Sequence, residues 1–417
     1  MMDFQNRFYR YNLERENNNK LKILLLFLNP FAAYVWSLFT MKDKWSLRVI
    51  YVFFVLFGFS MVVKLSNPDD CSRYLEEWLF FRNDPKGSLR DIWMDYTSGS
   101  DYRTVKDLYV YLLYYICSII DPSNYHWLWG INAMIFAYFY VKSLAYLTRL
   151  DSFRQTFVVI MLVFIFMFSN PIYNINSIRF WTGSWIVVYA TFKILIDKKY
   201  GYFLLIFLAS FVHTTFILFL AIFLLAFLFR KIGMGFVWIL FVASFVFSEI
   251  SLTLLGDVQQ YLPNFLQNMV WSYTESEGAL RRISGNTGLP AYAVFLNALP
   301  RYYEVILIIV MLGSSKNFSD GSKIELKCIV LYYSLVNFIS IIPSCARFYY
   351  AAIPLLVYVW LSNHEILRKY NWIICFAPLA YSYRILYWCR KMALVLDPGL
   401  LVFPLPVTLI KYIVASL

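Results

Sequence analysis

Charge is scarce in this 417-residue chain: 15% of the residues are Asp, Glu, Lys or Arg, against 60% hydrophobic. A water-soluble globule of this size has no way to hide that much apolar surface, so that class is excluded and lipid is the main solvent. Histidine is rarer still, with only His126, His213 and His364. The six cysteines (Cys71, Cys117, Cys328, Cys345, Cys375 and Cys389) form no CxxC pair. Neither residue type therefore has the spacing of a metal cluster. A DxD motif is also missing, and no metal or other cofactor is expected. There is no internal repeat and no low-complexity tract. A cleavable leader is not expected, because the first apolar run lacks a small-residue cleavage site.

Aromatic residues are abundant at 21%, and Tyr and Trp suit the membrane–water interface. The net charge of +12 would suggest nucleic acid in a soluble chain. Here Lys and Arg fall mostly in short loops, where the positive-inside bias is the simpler cause, so nucleic acid is not expected as a partner. The fold class is all-α: one polytopic membrane domain over 1–417, with about 11–13 membrane segments including re-entrant or broken helices.

Apolar segments long enough to span lie at about 23–41, 47–65, 126–147, 178–196, 234–255, 291–312, 324–342, 371–388 and 394–414, with shorter ones at 156–169 and 346–361. The run Leu108–Ile120 is too short for a comfortable crossing and reads as re-entrant or interfacial. Residues 201–229 are too long for one span and short for two, with His213-Thr214-Thr215 at their middle. A helical hairpin broken near His213 fits, since a break needs polar groups around its freed backbone. With these two irregular segments, the basic clusters at 42–48, 149–154, 193–199, 230–231, 316–327 and 368–369 all fall on the cytoplasmic side. The amphipathic segment 66–104, the stretch 170–178, the mobile-reading loop 256–290 and the turn 343–346 then face outward. The basic N-terminus disagrees if 23–41 crosses once, and Asn29-Pro30 offers a break that would make it re-entrant.

Several polar residues converge on the external side under that topology. Asp69 and Asp70 follow the second span, with Arg73 and Tyr74 close behind. Arg179 opens a helix after Asn176, with no acid near it in sequence, and Arg347 opens another. Each has a plainer explanation. Arg179 and Arg347 fit snorkelling anchors, Asp69 a helix cap, and His213 a satisfier of backbone at the kink. Arg301 and Glu304 fit an i,i+3 pair, and Arg281 and Arg282 a solvated loop. Together they describe a site for a phosphorylated substrate. Guanidinium groups bind phosphate oxygens bidentately and stay charged, and a carboxylate or imidazole nearby takes a proton from an attacking hydroxyl. On this reading Arg179 lacks a protein partner because its partner is a bound anion.

The stretches "NSIRFWTGSWIVVYA" and "KKYGYFLLIFLASFVHTTFIL" resemble the EpsG-like family of Wzy-type exopolysaccharide and O-antigen repeat-unit polymerases. Arg179 matches the family's Arg after a short polar stretch, and Ala209, His213 and Thr215 match its helix break. Asp70 to Tyr74 correspond to an early acidic-to-tyrosine segment, and Arg347 to a later helix start. Phe180 stands where the family usually has Gln, and Pro68 where Gly or Thr commonly precedes the aspartate. The resemblance covers about residues 45–360.

What it implies is glycosyl transfer at the external face of a bacterial cytoplasmic (inner) membrane. Donor and acceptor are polyprenyl-pyrophosphate-linked oligosaccharides in the lipid bilayer. Arg179 and Arg347 bind the pyrophosphate, and Asp70 or His213 is the catalytic base. Asp69, Arg73, Tyr74, Arg281, Arg282 and Arg301 are further substrate contacts. Flippase and chain-length regulator proteins are the implied partners. The rival reading is a flippase or transporter of the same lipid-linked oligosaccharide, which should show repeat symmetry and a cavity open to both faces. A membrane acyltransferase should have more than one core histidine. A purely structural subunit should tolerate loss of both arginines.

Overall fold

The computed structural model describes residues 18–65, 70–83, 89–98, 107–154, 156–246, 290–340 and 345–414, together with the single positions Tyr261, Gln267 and Trp271. Among the described residues every element is helical, apart from an isolated antiparallel bridge between Met61 and Leu396. Among the described residues, four helices are long and apolar enough to cross a membrane: His126–Thr148, Phe157–Asn176, Tyr292–Asn317 and Cys345–Ser362. The chain is an all-α membrane protein. Asp69, Arg281, Arg282 and most of the 256–290 loop lie outside the described residues.

The segment read as a first span over 23–41 is instead two helices, α1 (18–28) and α2 (Pro30–Leu38). Pro30 cannot donate to the preceding turn, and the Asn29 side chain caps α2 by accepting the Ala32 N–H at 2.8 Å. The two helices double back. Lys22 on α1, 1% exposed, donates to Asp43 Oδ2 at 2.8 Å and to Ser46 Oγ at 2.9 Å, at the start of α3 (Lys44–Phe59). The basic N-terminal residue Lys22 and the Lys42–Arg48 cluster therefore share one end of the bundle.

Beyond α3 come α4 (Asp70–Asn83), α5 (Leu89–Ser98), α6 (Leu108–Ile120), α7 (His126–Thr148), α8 (Phe157–Ser169) and α9 (Phe180–Leu195). The α3–α7 crossing is tight because Gly58 and Gly130 carry no side chain. A Cβ on Gly58 would stand 2.5 Å from the Trp129 carbonyl oxygen and 2.4 Å from the Ala133 Cβ. Small residues let membrane helices approach in this way. Buried aromatics fill the centre: Tyr140 meets Trp185 edge-on at 4.7 Å, and Phe166 lies 5.3 Å from the same indole.

Residues 200–229 form a hairpin. Helix α10 (Phe203–Leu208) and a 3₁₀ turn (Ala209–Phe211) lead into the break at His213–Thr215, and α11 (Phe216–Phe229) returns. Tyr200 faces Phe227 at 5.6 Å and Phe203 faces Phe223 at 5.8 Å, the pairing of antiparallel neighbours. The chain continues as α12 (Met234–Val246), α13 (Ala291–Ser314), α14 (Asp320–Phe338), α15 (Tyr349–Ser362) and α16 (Ala377–Val395).

The apolar stretch 394–414 does not form the expected continuous span. Pro398, Pro404 and Pro406 divide it into short helices at Gly399–Val402, Leu405–Leu409 and Ile410–Val414. Its beginning is pinned to the end of α3: Val62 N–H donates to Val395 O at 2.7 Å and Asp397 N–H to Ser60 O at 3.1 Å.

The basic loops are tied together at one end of the bundle. Lys198 Nζ lies 4.0 Å from Glu325, Lys327 donates to Ile232 O at 3.0 Å, and Ser152 Oγ donates to Leu361 O at 2.7 Å. The candidate site residues gather at the other end.

Candidate functional site

The stretch before α9 is held rigid by asparagines, which is the local use of its polar residues. Asn170 Nδ2 donates to Trp181 O at 3.0 Å, and Asn174 Nδ2 to Asn170 Oδ1 at 2.9 Å. Fully buried Asn132 on α7 accepts from Tyr109 at 2.9 Å and Thr182 at 2.8 Å, and donates to Ile175 O at 3.2 Å. One side chain thus ties α6, α7 and α9 to this stretch. It fixes where Ser177 and Arg179 stand.

Arg179 does have an acidic partner, contrary to the reading from local sequence. Its Nη1 donates to Asp107 Oδ2 at 2.6 Å and its Nε to the Tyr74 hydroxyl at 2.8 Å. Asp107 is only 3% exposed, immediately before α6. Its other oxygen, Oδ1, accepts the Thr214 N–H at 3.0 Å. One carboxylate therefore joins the head of α9 to the turn of the 200–229 hairpin. Burial raises the Tyr74 phenol above the usual tyrosine range, against the lowering pull of Arg179. The phenol stays protonated while it accepts from Arg179.

Asp70 is half exposed. It accepts from Ser177 Oγ at 2.9 Å and faces Arg73 Nη2 at 3.6 Å, so α4 is tied to the stretch that precedes Arg179. Arg73 also approaches Glu77 at 3.8 Å.

His213 Nδ1 receives the Thr215 backbone N–H at 3.3 Å and lies 3.0 Å from Thr215 Oγ1. Its ring meets Phe180 edge-to-face at 5.8 Å. Arg347 reaches that same phenyl ring, with Cζ at 5.6 Å from its centroid. Phe180 is thus a wall shared by the histidine and the arginine. Arg347 is exposed and makes no ion pair among the described residues.

Arg301 and Glu304 do not pair with each other. Arg301 turns to Asn337 Oδ1 and, at 3.4 Å, Ser340 Oγ, while its guanidinium lies 4.8 Å from the Tyr349 ring centroid. Glu304, 2% exposed, accepts from the Tyr381 hydroxyl at 3.1 Å. Three-residue spacing on α13 allowed the pair, but helices α14 and α16 supplied better-placed partners. Arg301 is therefore committed to a packing network.

The arrangement brings together Asp70, Arg73, Tyr74, Arg179, His213 and, through Phe180, Arg347. Asp107 was missed by sequence reasoning. The signal for it was modest: it is the acid that directly precedes the apolar run 108–120. Chemically, the cluster offers a guanidinium with no ion pair among the described residues, a half-exposed carboxylate, and an imidazole.

No curated protein and no solved structure is detectably similar to the chain. One family model does match, over residues 87–395, a span that takes in Asp107, Arg179, His213 and Arg347 but begins after Asp70, Arg73 and Tyr74. With three quarters of its length so matched, the chain belongs to the EpsG family.

Proposed function

We propose that the protein is an oligosaccharide repeat-unit polymerase, a membrane glycosyltransferase that extends an exopolysaccharide, capsule or O-antigen from polyprenyl-pyrophosphate-linked donors. Membership of the EpsG family suggests a polysaccharide-polymerase-like role. The lipid-linked chemistry is our reading of the site. The observation that carries it is Arg347: an exposed guanidinium at a helix mouth, with no ion pair among the described residues, within a cluster that includes a carboxylate and a second arginine. An uncommitted arginine in that setting suits a phosphate oxygen pair.

In this mechanism the bond between the anomeric carbon and the pyrophosphate oxygen breaks. Arg347 receives the charge that develops on the leaving group. Asp70 takes the proton of the acceptor sugar hydroxyl as its oxygen attacks. Arg179 contributes a fixed positive charge held in place by Asp107, in a structural role more than a ligand's. Arg301 has no part in substrate contact on this account. Two lipid-linked substrates held at one membrane surface supply proximity without a soluble domain. The positive-inside bias supports a multi-pass arrangement with the basic end in the cytoplasm and the site at the external face of the inner membrane.

The test is a length-resolved product assay on the purified protein in lipid nanodiscs, supplied with the polyprenyl-pyrophosphate repeat unit of its host. The expected result is a ladder that Arg347→Ala reduces by about 100-fold or more, the scale of losing one charge-stabilising group. If no ladder forms and vesicles instead show the lipid-linked sugar changing leaflets, the protein is a flippase and this reading is wrong.

A further inference from the structure

We propose that His213 serves this site as a hydrogen-bond donor through Nε2, not as its base, and that Asp107 is the residue that positions it. The inference rests on the polymerase reading above and refines the division of labour within it.

A backbone amide can only donate. Because the Thr215 N–H points to His213 Nδ1 at 3.3 Å, that nitrogen carries the lone pair, and the neutral ring holds its proton on Nε2. The Thr215 hydroxyl, 3.0 Å away, gives Nδ1 a second donor of the same sense. His213 is half-buried, and no described residue accepts from Nε2. The ring cannot drift. Phe180 and Phe216 meet it edge-on at 5.8 and 6.4 Å.

The turn is held from outside the hairpin. Asp107 Oδ1 takes the Thr214 N–H at 3.0 Å, while Oδ2 takes Arg179. Asp107 thus holds two elements together in space: the tautomer-setting turn and the head of α9. Its carboxylate is buried and fully engaged by these bonds, so it acts through His213 and touches no substrate.

A neutral donor next to the free guanidinium of Arg347 matches an oxygen that is gaining negative charge. As the glycosyl–oxygen bond breaks, its electron pair passes to the pyrophosphate oxygen. His213 Nε2–H and Arg347 stabilise that oxygen, and the proton released by the acceptor hydroxyl goes to Asp70. His213 ends the cycle with the proton it started with. The charged groups around the ring are Asp107 from the start of α6, Arg179 at α9, Arg73 on α4 and Arg347 before α15. Burial first, and then three cations against one anion, disfavour a second proton on the imidazole.

The experiment compares His213→Ala, His213→Gln and Asp107→Ala in the nanodisc ladder assay. A glutamine amide places an N–H where Nε2–H was but cannot shuttle a proton. His213→Ala is expected to lower kcat about 100-fold or more, as for removal of one oxyanion donor, and His213→Gln to recover at least about a tenth of wild-type kcat. The Gln variant and the wild type should share one pH–rate profile between about pH 5.5 and 8, the range in which a histidine base would titrate. Asp107→Ala should lower kcat with KM for the donor unchanged, whereas Arg347→Ala raises that KM. A His213→Gln protein that is folded and as inactive as His213→Ala, with an acid limb lost from the wild-type profile, makes His213 the base and overturns the proposal. A KM defect in Asp107→Ala overturns the positioning role. Failure of the wild type to make any ladder is a separate result, which removes the polymerase reading and this inference with it.

Discussion

Asp107 and Arg179 stand 72 positions apart in sequence, and their ion pair has no local signature. Nothing in "NINSIRFW" shows the acid that answers the arginine; the partner arrives only when α6 and α9 come together. Arg347 is the reverse case: it has no acid near it in sequence and makes no ion pair among the described residues. The pair is also asymmetric, with Asp107 at 3% and Arg179 at 21% side-chain exposure. Removing Arg179 strands a carboxylate that cannot reach water, whereas removing Asp107 leaves a guanidinium that partly can. Arg179→Ala should therefore destabilise by about 3 kcal/mol or more, the usual cost of an uncompensated buried charge, and Asp107→Ala by less. The double variant should be more stable than Arg179→Ala alone. Thermal unfolding of the four proteins in one detergent checks this, and an additive double variant would show that the two residues do not interact.

At the scale of elements, breaks were legible where polar or imino residues interrupt apolar runs. Pro30 after Asn29, and His213-Thr214-Thr215 within 201–229, both mark places where the helix gives up hydrogen bonds that side chains then replace. The same rule, applied to Pro398, Pro404 and Pro406, would have divided the last apolar stretch, which hydropathy alone presents as one span. Close packing was less visible. Gly58 has no special backbone angle to betray it, and its importance lies in the Trp129 carbonyl 2.5 Å from where a Cβ would be. Gly58→Ala must push α3 away from α7 and should cost about 1–3 kcal/mol, as overpacking does elsewhere. Gly235→Ala, with nothing within 4 Å of its Cβ position, is the matched control and should not destabilise. Equal melting temperatures for the two variants would mean that the α3–α7 crossing is looser than drawn.

For the whole molecule, the distribution of charge gives the two ends different work. One end holds the basic loops, and Lys22 joins them through Asp43 because α1 and α2 double back. That hairpin puts Lys22 at the same end as the remaining basic loops. The other end holds Arg347 and the Asp107-centred clamp, and there polar side chains converge from α4, α6, α9, the hairpin turn and the start of α15. The all-helical membrane fold was readable from composition and run lengths, since lipid leaves the backbone few choices. Several members of the polar cluster were readable as residues but their bonds were not: Arg301 was drawn away by Asn337, and Arg179 was claimed by Asp107. Partner choice depends on which helices meet, and run lengths carry no record of that.

The account turns on Arg347 as the cation that receives the pyrophosphate. The most direct measurement is the dissociation constant of free polyprenyl pyrophosphate for the nanodisc-embedded protein, for wild type, Arg347→Gln and Arg179→Gln. The account predicts at least a tenfold weakening for Arg347→Gln, about 1.4 kcal/mol, and a smaller change for Arg179→Gln. Wild-type affinity in Arg347→Gln, with binding lost in Arg179→Gln instead, would contradict it.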